Sequence, residues 1–146
     1  MQVGGLMRVQ LVTAAPDETA GAAIRKMLDA GVGSVVVCDG PALAGIFTER
    51  DVLRLAGDGV DFDTLPLSEV MTSSLATISA DDGIFEAAQL MKERRLRHLP
   101  VVEDGNLVGI VSIRDVLAYL AERLWQERDE SVHDTARALL ENRSAS

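Results

Sequence analysis

The sequence predicts an α/β protein built from two tandem, pseudo-symmetric β-α-β-β-α repeats with a C-terminal helical extension. Three observations carry that prediction. The chain matches itself without gaps at an offset of 64 residues, each half holds one amphipathic helical stripe followed by two short β-branched runs, and a Gly-Ile-x-Thr/Ser-x-Arg-Asp-Val-Leu phrase closes both halves. Over 7–54 against 71–118, 14 of 48 positions are identical, Met7/Met71, Gly45/Gly109 and Asp51/Asp115 among them. Unrelated segments of this composition would match at roughly 3 or 4 positions.

The elements follow in order. Short extended pieces at Gln10–Thr13 and Leu75–Ile78 lead each repeat, and an Asp (Asp17, Asp81) precedes each helix. Apolar residues then recur at helical spacing: Ala20, Ala23, Ile24, Met27 and Leu28 in the first repeat, Ile84, Ala87, Ala88 and Met91 in the second. Strands are predicted at Ser34–Cys38 and His98–Val102, turns at Asp39-Gly40-Pro41 and Glu103-Asp104-Gly105-Asn106, and return strands at Leu43–Phe47 and Leu107–Val111. New helices begin at Arg50 and Arg114, with Thr48 or Ser112 at the strand-to-helix corner, where a hydroxyl can cap exposed amides. The expected organisation is repeat 1 over 3–55, a Gly- and Asp-rich linker over 56–66, repeat 2 over 67–120, a helix over 121–142 and a frayed tail over 143–146. A half of about 50 to 60 residues buries little by itself, so two similar sheets are expected to pack together as one module.

Composition narrows the function. The 146 residues are 47% apolar and 3% aromatic, enough for one aliphatic core. A formal charge of −9 argues against nucleic-acid binding. The chain has no apolar run of the roughly 18 to 20 residues that a membrane span needs, and its start lacks the blocks of a signal peptide, so a cytoplasmic protein off the membrane is expected. Cys38, the one cysteine, lies in the run Val35-Val36-Val37-Cys38 and reads as a small buried hydrophobe. With two histidines and no Gly-Lys-Ser/Thr, His-Glu-x-x-His or Gly-x-Ser-x-Gly phrase, neither a metal centre nor a catalytic triad has material. Gly31-Val32-Gly33 follows a helix and precedes a strand, the reverse of a dinucleotide loop. The run Asp58–Asp63 lacks the later Glu of a calcium loop.

The corners carry the chemistry. A hydroxyl followed three residues later by a carboxylate, between a strand end and a helix start, sets acceptors beside amides at the positive end of a helix dipole. Asp51 or Asp115 can accept from two neighbouring ribose hydroxyls, while Thr48 or Ser112 and the amides donate to a phosphate. Ordinary helix capping uses the same residue types, and both readings stand at this level.

Gly45-Ile46-Phe47-Thr48-Glu49-Arg50-Asp51 and Gly109-Ile110-Val111-Ser112-Ile113-Arg114-Asp115 resemble the signature closing each half of a cystathionine-β-synthase-type (CBS) domain pair, the Bateman module. Arg97-His98-Leu99-Pro100-Val101-Val102 and Val70-Met71-Thr72 match further phrases of that family, and the resemblance covers roughly 3–120. It implies a regulatory module of the stand-alone prokaryotic type, binding AMP, ADP, ATP or a related adenosyl ligand in clefts between the repeats. No catalysis and no catalytic cofactor are implied. Ser112 and Asp115 would work with Val9, Leu11, Val32 and Ser34; Thr48 and Asp51 with Ser73, Leu75, Leu96, Arg97 and His98; Ile46 and Ile110 of the two signatures would also contact nucleotide. Arg97 and His98 would equip the second set for phosphate, whereas the first has Gly33 and Ser34 there and would rely on Arg50 or Arg114. Arg97 and His98 also end the charged run Lys92–His98, which by itself reads as a solvated helix end or, with Lys92, Arg94, Arg95 and Arg97 on an acidic protein, as a local basic patch that attracts phosphate. Arg8, where the family often has Thr, and Gly4-Gly5, where the second repeat has Ser68-Glu69, make unequal sites the expectation.

From Val116 to Asn142 there is no Pro or Gly, and Leu117, Leu120, Leu124, Val132, Ala136, Leu139 and Leu140 form an apolar stripe, so one long helix or two are expected. The stripe, with Tyr119 and Trp125, suits either a homodimer contact or a fold-back onto the module. No effector domain is expected from these residues, so a sensor would act through its dimer or on a separate protein partner. The competing readings are a ligand-independent dimerisation scaffold and, from another class, a small nucleotide-processing enzyme.

Overall fold

The computed structural model describes residues 1–126 and 137–141. The first repeat comprises β1 (Thr13–Ala14), α1 (Ala20–Ala30), β2 (Ser34–Asp39), β3 (Ala42–Thr48) and α2 (Glu49–Gly57). The second comprises α3 (Leu67–Val70), α4 (Ile84–Arg94), β4 (His98–Glu103), β5 (Asn106–Ser112) and α5 (Ile113–Gln126). The 64-residue offset is reproduced element by element: α1 and α4, β2 and β4, and β3 and β5 start and stop at matching positions. Even the irregularity in the hairpins matches, between Val37 and Cys38 and between Val101 and Val102. The counterpart of β1 is reduced to a single parallel bridge, Ile78 to Val101.

Local chemistry explains the boundaries. Thr19, rather than Asp17, caps α1 by accepting from the Ala22 amide at 3.1 Å. The helix stops at Gly31, whose left-handed φ of 65° lets its amide turn back to the Leu28 and Met27 carbonyls. The buried face of α1 is Ala20, Gly21, Ala23 and Met27, and Leu28 points outward at 75% exposure, so the apolar stripe is narrower than expected. The segment read as a linker begins inside α2 and then docks on the first repeat. Leu65 and Phe62 carbonyls accept from the Ala20 and Gly21 amides, and Val60, Phe62 and Leu65 pack on that repeat's core.

Instead of two packed sheets, the strands join edge to edge in the order β1-β2-β3-β5-β4, linked between repeats by the pair Ala42 and Asn106. Two cores form, one around Phe47 and Val35 completed by Leu67 from the second repeat's leading helix, the other around Leu99, Val111 and Ile84 completed by Val3 from the start of the chain. A third cluster, Val36, Ile46 and Ile110 with Leu11, Leu43, Leu75 and Leu107, is contributed by both repeats. Burying it makes the halves one unit, since each would otherwise expose this face. Cys38 lies half-buried at its edge, and desolvation pushes its thiol pKa up, as suits an inert packing residue.

The leading segments cross over. Arg8 pairs with Ile110 in the opposite repeat through N–H to O contacts of 2.8 and 3.1 Å, and Thr72 pairs with Ile46 at 3.0 Å each way. Met7 and Met71 lie over Gly109 and Gly45 so closely that a Cβ on either glycine would sit 2.6 Å from the methionine sulfur. That contact explains why the Met and Gly pairs repeat together in the sequence. Among the described residues no helix is long and apolar enough to cross a membrane. The outer part of the expected 121–142 helix, with Val132 and Ala136, and the 143–146 tail lie outside the described residues, while 137–141 is helical.

Candidate functional site

Because the leading segments cross, each strand-to-helix corner of one repeat faces the other repeat's helix-to-strand loop. Two cavities result, of about 280 and about 270 Å³.

In the first, the Thr48 cleft, the first repeat supplies Ile46, Thr48, Arg50 and Asp51, and the second supplies Leu75, Leu96, Arg97 and His98. In the other, the Ser112 cleft, Ile110, Ser112, Arg114 and Asp115 of the second repeat meet Leu11, Val32 and Ser34 of the first. The structure therefore brings together, across the repeats, the two expected sets except for Val9 and Ser73. Those two line neither cavity, and Val9 is 68% exposed. Arg8 and Thr72 carry the bridging backbone bonds, and side chains of an extended chain alternate sides, so the residue after each turns outward.

Both corners are internally hydrogen-bonded. At the start of α2, Asp51 Oδ2 accepts from the Thr48 amide at 2.9 Å and the Thr48 hydroxyl at 3.2 Å, one half of a reciprocal capping box. At the start of α5, Asp115 Oδ2 accepts from the Ser112 hydroxyl at 2.8 Å, and the Ser112 Oγ accepts from the Asp115 amide at 3.2 Å. Capping is thus a fact of both corners, and it holds each carboxylate at a cavity wall with its second oxygen turned elsewhere. In the first cleft, among the described residues, that oxygen meets only Arg54, at 3.4 Å. In the second it is held by Arg8 Nη2 at 3.1 Å. Burial works against ionisation of Asp115 more than any one neighbour favours it, but the Ser112 hydroxyl, Arg8 and the Ser112 amide together keep its carboxyl below the usual carboxylate range.

Arg97 and His98 were expected at the Thr48 cleft alone, yet they line both, as do Gly33 and Glu49. Each helix-to-strand loop is tied to its own corner, Glu49 N–H to the Gly33 carbonyl at 3.1 Å and Ile113 N–H to the Arg97 carbonyl at 2.8 Å, so the loops form a shared wall. Burial pushes the His98 pKa down; Glu49 and Asp115 oppose this, and Arg97 and Arg8 add to it. A neutral imidazole able to donate or accept at neutral pH therefore stands between the clefts. Reasoning from sequence missed Gln10, Thr72, Ser74 and Glu49 as lining residues, and took Arg95 only as part of the basic run Lys92–His98. Arg95 carries a further signal, as the 64-residue partner of a glycine, Gly31. Among the described residues no group of three or more His, Cys, Asp or Glu side chains is placed to hold a metal.

Comparison with known proteins bears on this geometry. The family model described as "CBS domain" matches residues 3–58 and again 67–122. The CBS domain-containing protein YhcV of Bacillus subtilis is 37% identical over 111 residues, which cover 75% of this chain and 79% of that protein. An uncharacterised Methanopyrus kandleri protein is 37% identical over 122 residues, 80% of this chain but 61% of its own length, so the chain spans less than two thirds of that relative. Among solved structures, a CBS-domain protein of Agrobacterium tumefaciens superposes with a TM-score of 0.74 at 32% identity, covering 82% of this chain and 98% of its own. A CBS domain pair solved in complex with 5′-methylthioadenosine and S-adenosyl-L-methionine shares the fold at a TM-score of 0.78 and 21% identity, covering 84% of this chain and 98% of its own.

Proposed function

The chain belongs to the CBS-domain family, as a pair of CBS repeats, and on that premise we propose that it is a cytoplasmic regulatory module binding an adenine nucleotide or related adenosyl compound. The ligand would sit in the clefts between the repeats, and its occupancy would bias their arrangement. The observation that carries this reading is the cross-repeat composition of each cavity: a hydroxyl and carboxylate from one repeat, and an apolar wall from the other. A ligand gripping both halves interacts differently with different arrangements of them, which is what population shift requires. Asp51 and Asp115 are assigned to the ribose hydroxyls and Thr48, Ser112, Arg97 and His98 to phosphate. The ligand of the methylthioadenosine- and S-adenosylmethionine-bound neighbour supports the adenosyl class.

We assign the module no chemistry of its own; its output passes to a homodimer or a separate protein. The exposed Leu117 and Leu124 on α5, beside Trp125, support a contact with a second copy. A ligand-independent scaffold is the second reading, favoured by the capping bonds at both corners. Titration calorimetry with AMP, ATP and S-adenosylmethionine separates them. Saturable binding at micromolar to millimolar ligand is expected, and no heat from any of the three with folded protein leaves the scaffold.

A further inference from the structure

A third hollow, of about 320 Å³, opens beside the Thr48 cleft and shares Arg50, Arg95, Leu96 and Arg97 with it. Lys92 lines it as well, so four cations face one space, and among the described residues no carboxylate lines it. Among the described residues none of the four side chains takes part in a salt bridge or side-chain hydrogen bond. On a chain of net charge −9, an unneutralised cluster of this kind is a local exception.

The other repeat supplies an internal control. The 64-residue partners of Arg50, Lys92, Arg95, Arg97 and Ile113 are Arg114, Leu28, Gly31, Gly33 and Glu49. Five positions that carry four cations in one place carry one cation and one carboxylate in the other. The backbone sharpens the contrast. Gly31 ends α1 with φ 65°, a left-handed conformation that glycine adopts freely, and Arg95 ends α4 in the same conformation, with φ 55°. An arginine bears a conformational cost there that the glycine of the twin avoids, and Arg95 lines both the Thr48 cleft and the hollow.

We propose that this hollow is a polyphosphate subsite: the Thr48 cleft selects a nucleoside di- or triphosphate, its terminal phosphates held by Lys92, Arg95 and Arg50, while the Ser112 cleft lacks the extension. The inference rests on the adenosyl reading of the clefts and adds the ligand's charge class and the inequality of the two sites. Arginine forks suit phosphate oxygens, and clustered cations facing one space gain with each phosphate added.

The test is calorimetry with AMP, ATP and inorganic tripolyphosphate on the parent, Arg95→Gly and Lys92→Gln. Glycine suits the left-handed backbone, so Arg95→Gly is expected to fold at least as well as the parent, and Lys92→Gln changes an exposed side chain. The expected result is ATP binding at least about tenfold tighter than AMP and reduced about tenfold in each variant, with AMP unchanged in Lys92→Gln, whose side chain lines the hollow and not the Thr48 cleft. Equal affinity for AMP and ATP in the parent, or ATP binding untouched by both variants, overturns the subsite and leaves the adenosyl reading standing. Tripolyphosphate binding lost in the variants, with neither nucleotide bound, overturns the adenosyl reading and keeps the hollow as an anion site.

Discussion

Arg8 and Asp115 stand 107 residues apart in the chain and meet with Nη2 to Oδ1 at 3.1 Å. The arginine comes from the segment that leads the first repeat and the aspartate from the first turn of α5, so the contact ties the two halves at the Ser112 cleft. Arg8 is 56% exposed and Asp115 16%, so the pair contributes about 0 to 1 kcal/mol to stability. Its consequence is chemical: the oxygen left over from capping is already engaged, whereas at the twin position the corresponding Asp51 oxygen has, among the described residues, only a 3.4 Å contact with Arg54.

Arg8→Ala is therefore expected to free Asp115 for a ribose. Adenosine, which offers hydroxyls and no phosphate, should gain several-fold in affinity at that cleft, with the melting temperature shifted by only a few degrees. Calorimetry and a thermal scan check both, and unchanged adenosine binding would mean the ion pair does not compete.

Asp51→Ala removes the carboxylate that accepts from the Thr48 amide and hydroxyl. Ligand-free stability should fall by about 1 kcal/mol through the lost cap, and binding at the Thr48 cleft should fall at least tenfold. Denaturant melts of the apoprotein measure the first and ligand titration the second. A variant with lowered stability and intact binding would assign Asp51 to capping alone.

Gly45→Ala and Gly109→Ala each drive a methyl to 2.6 Å from a methionine sulfur, with the carbonyl oxygen of Thr72 or Arg8 next to it. Overpacking of this kind costs about 1 to 3 kcal/mol. Because both sites lie under the crossing segments, opening should begin there. Hydrogen exchange at the Ile46 and Ile110 amides, which donate to Thr72 and Arg8, should accelerate in the matching variant. Exchange as slow as in the parent would contradict it.

The lowered His98 pKa sets a pH dependence. Burial makes the folded protein bind the His98 proton less readily than the unfolded chain, whose value is near 6.5. As pH falls below that value the unfolded state takes up the proton first, so stability drops through the window down to the folded pKa. Glu49 and Asp115 moderate the effect, Arg97 and Arg8 strengthen it. Denaturant melts between pH 5 and 8 should show the slope in the parent and a shallower one in His98→Asn. Identical slopes would remove His98 as its source.

Much of this protein was legible in its residues alone. Repetition at a 64-residue offset, helical and alternating periodicities, and the Thr/Ser-x-x-Asp corners are local or self-referential signals, and they set the two repeats and the order of elements, while the residues facing each cleft came from the family resemblance. What they leave open is how the halves cross. The outward turn of Val9 and Ser73 depends on which residue of each leading segment bonds to the opposite strand. The joined sheet depends on a single pair, Ala42 and Asn106. Sharing of Arg97, His98 and Glu49 between the clefts, and the engagement of Asp115 by Arg8, depend on loops and segments far apart in sequence meeting at one wall. Side-chain period and capping are properties of a few neighbouring residues, whereas these contacts are set by burial of the shared Val36, Ile46 and Ile110 cluster, which exists only once both repeats have folded against each other.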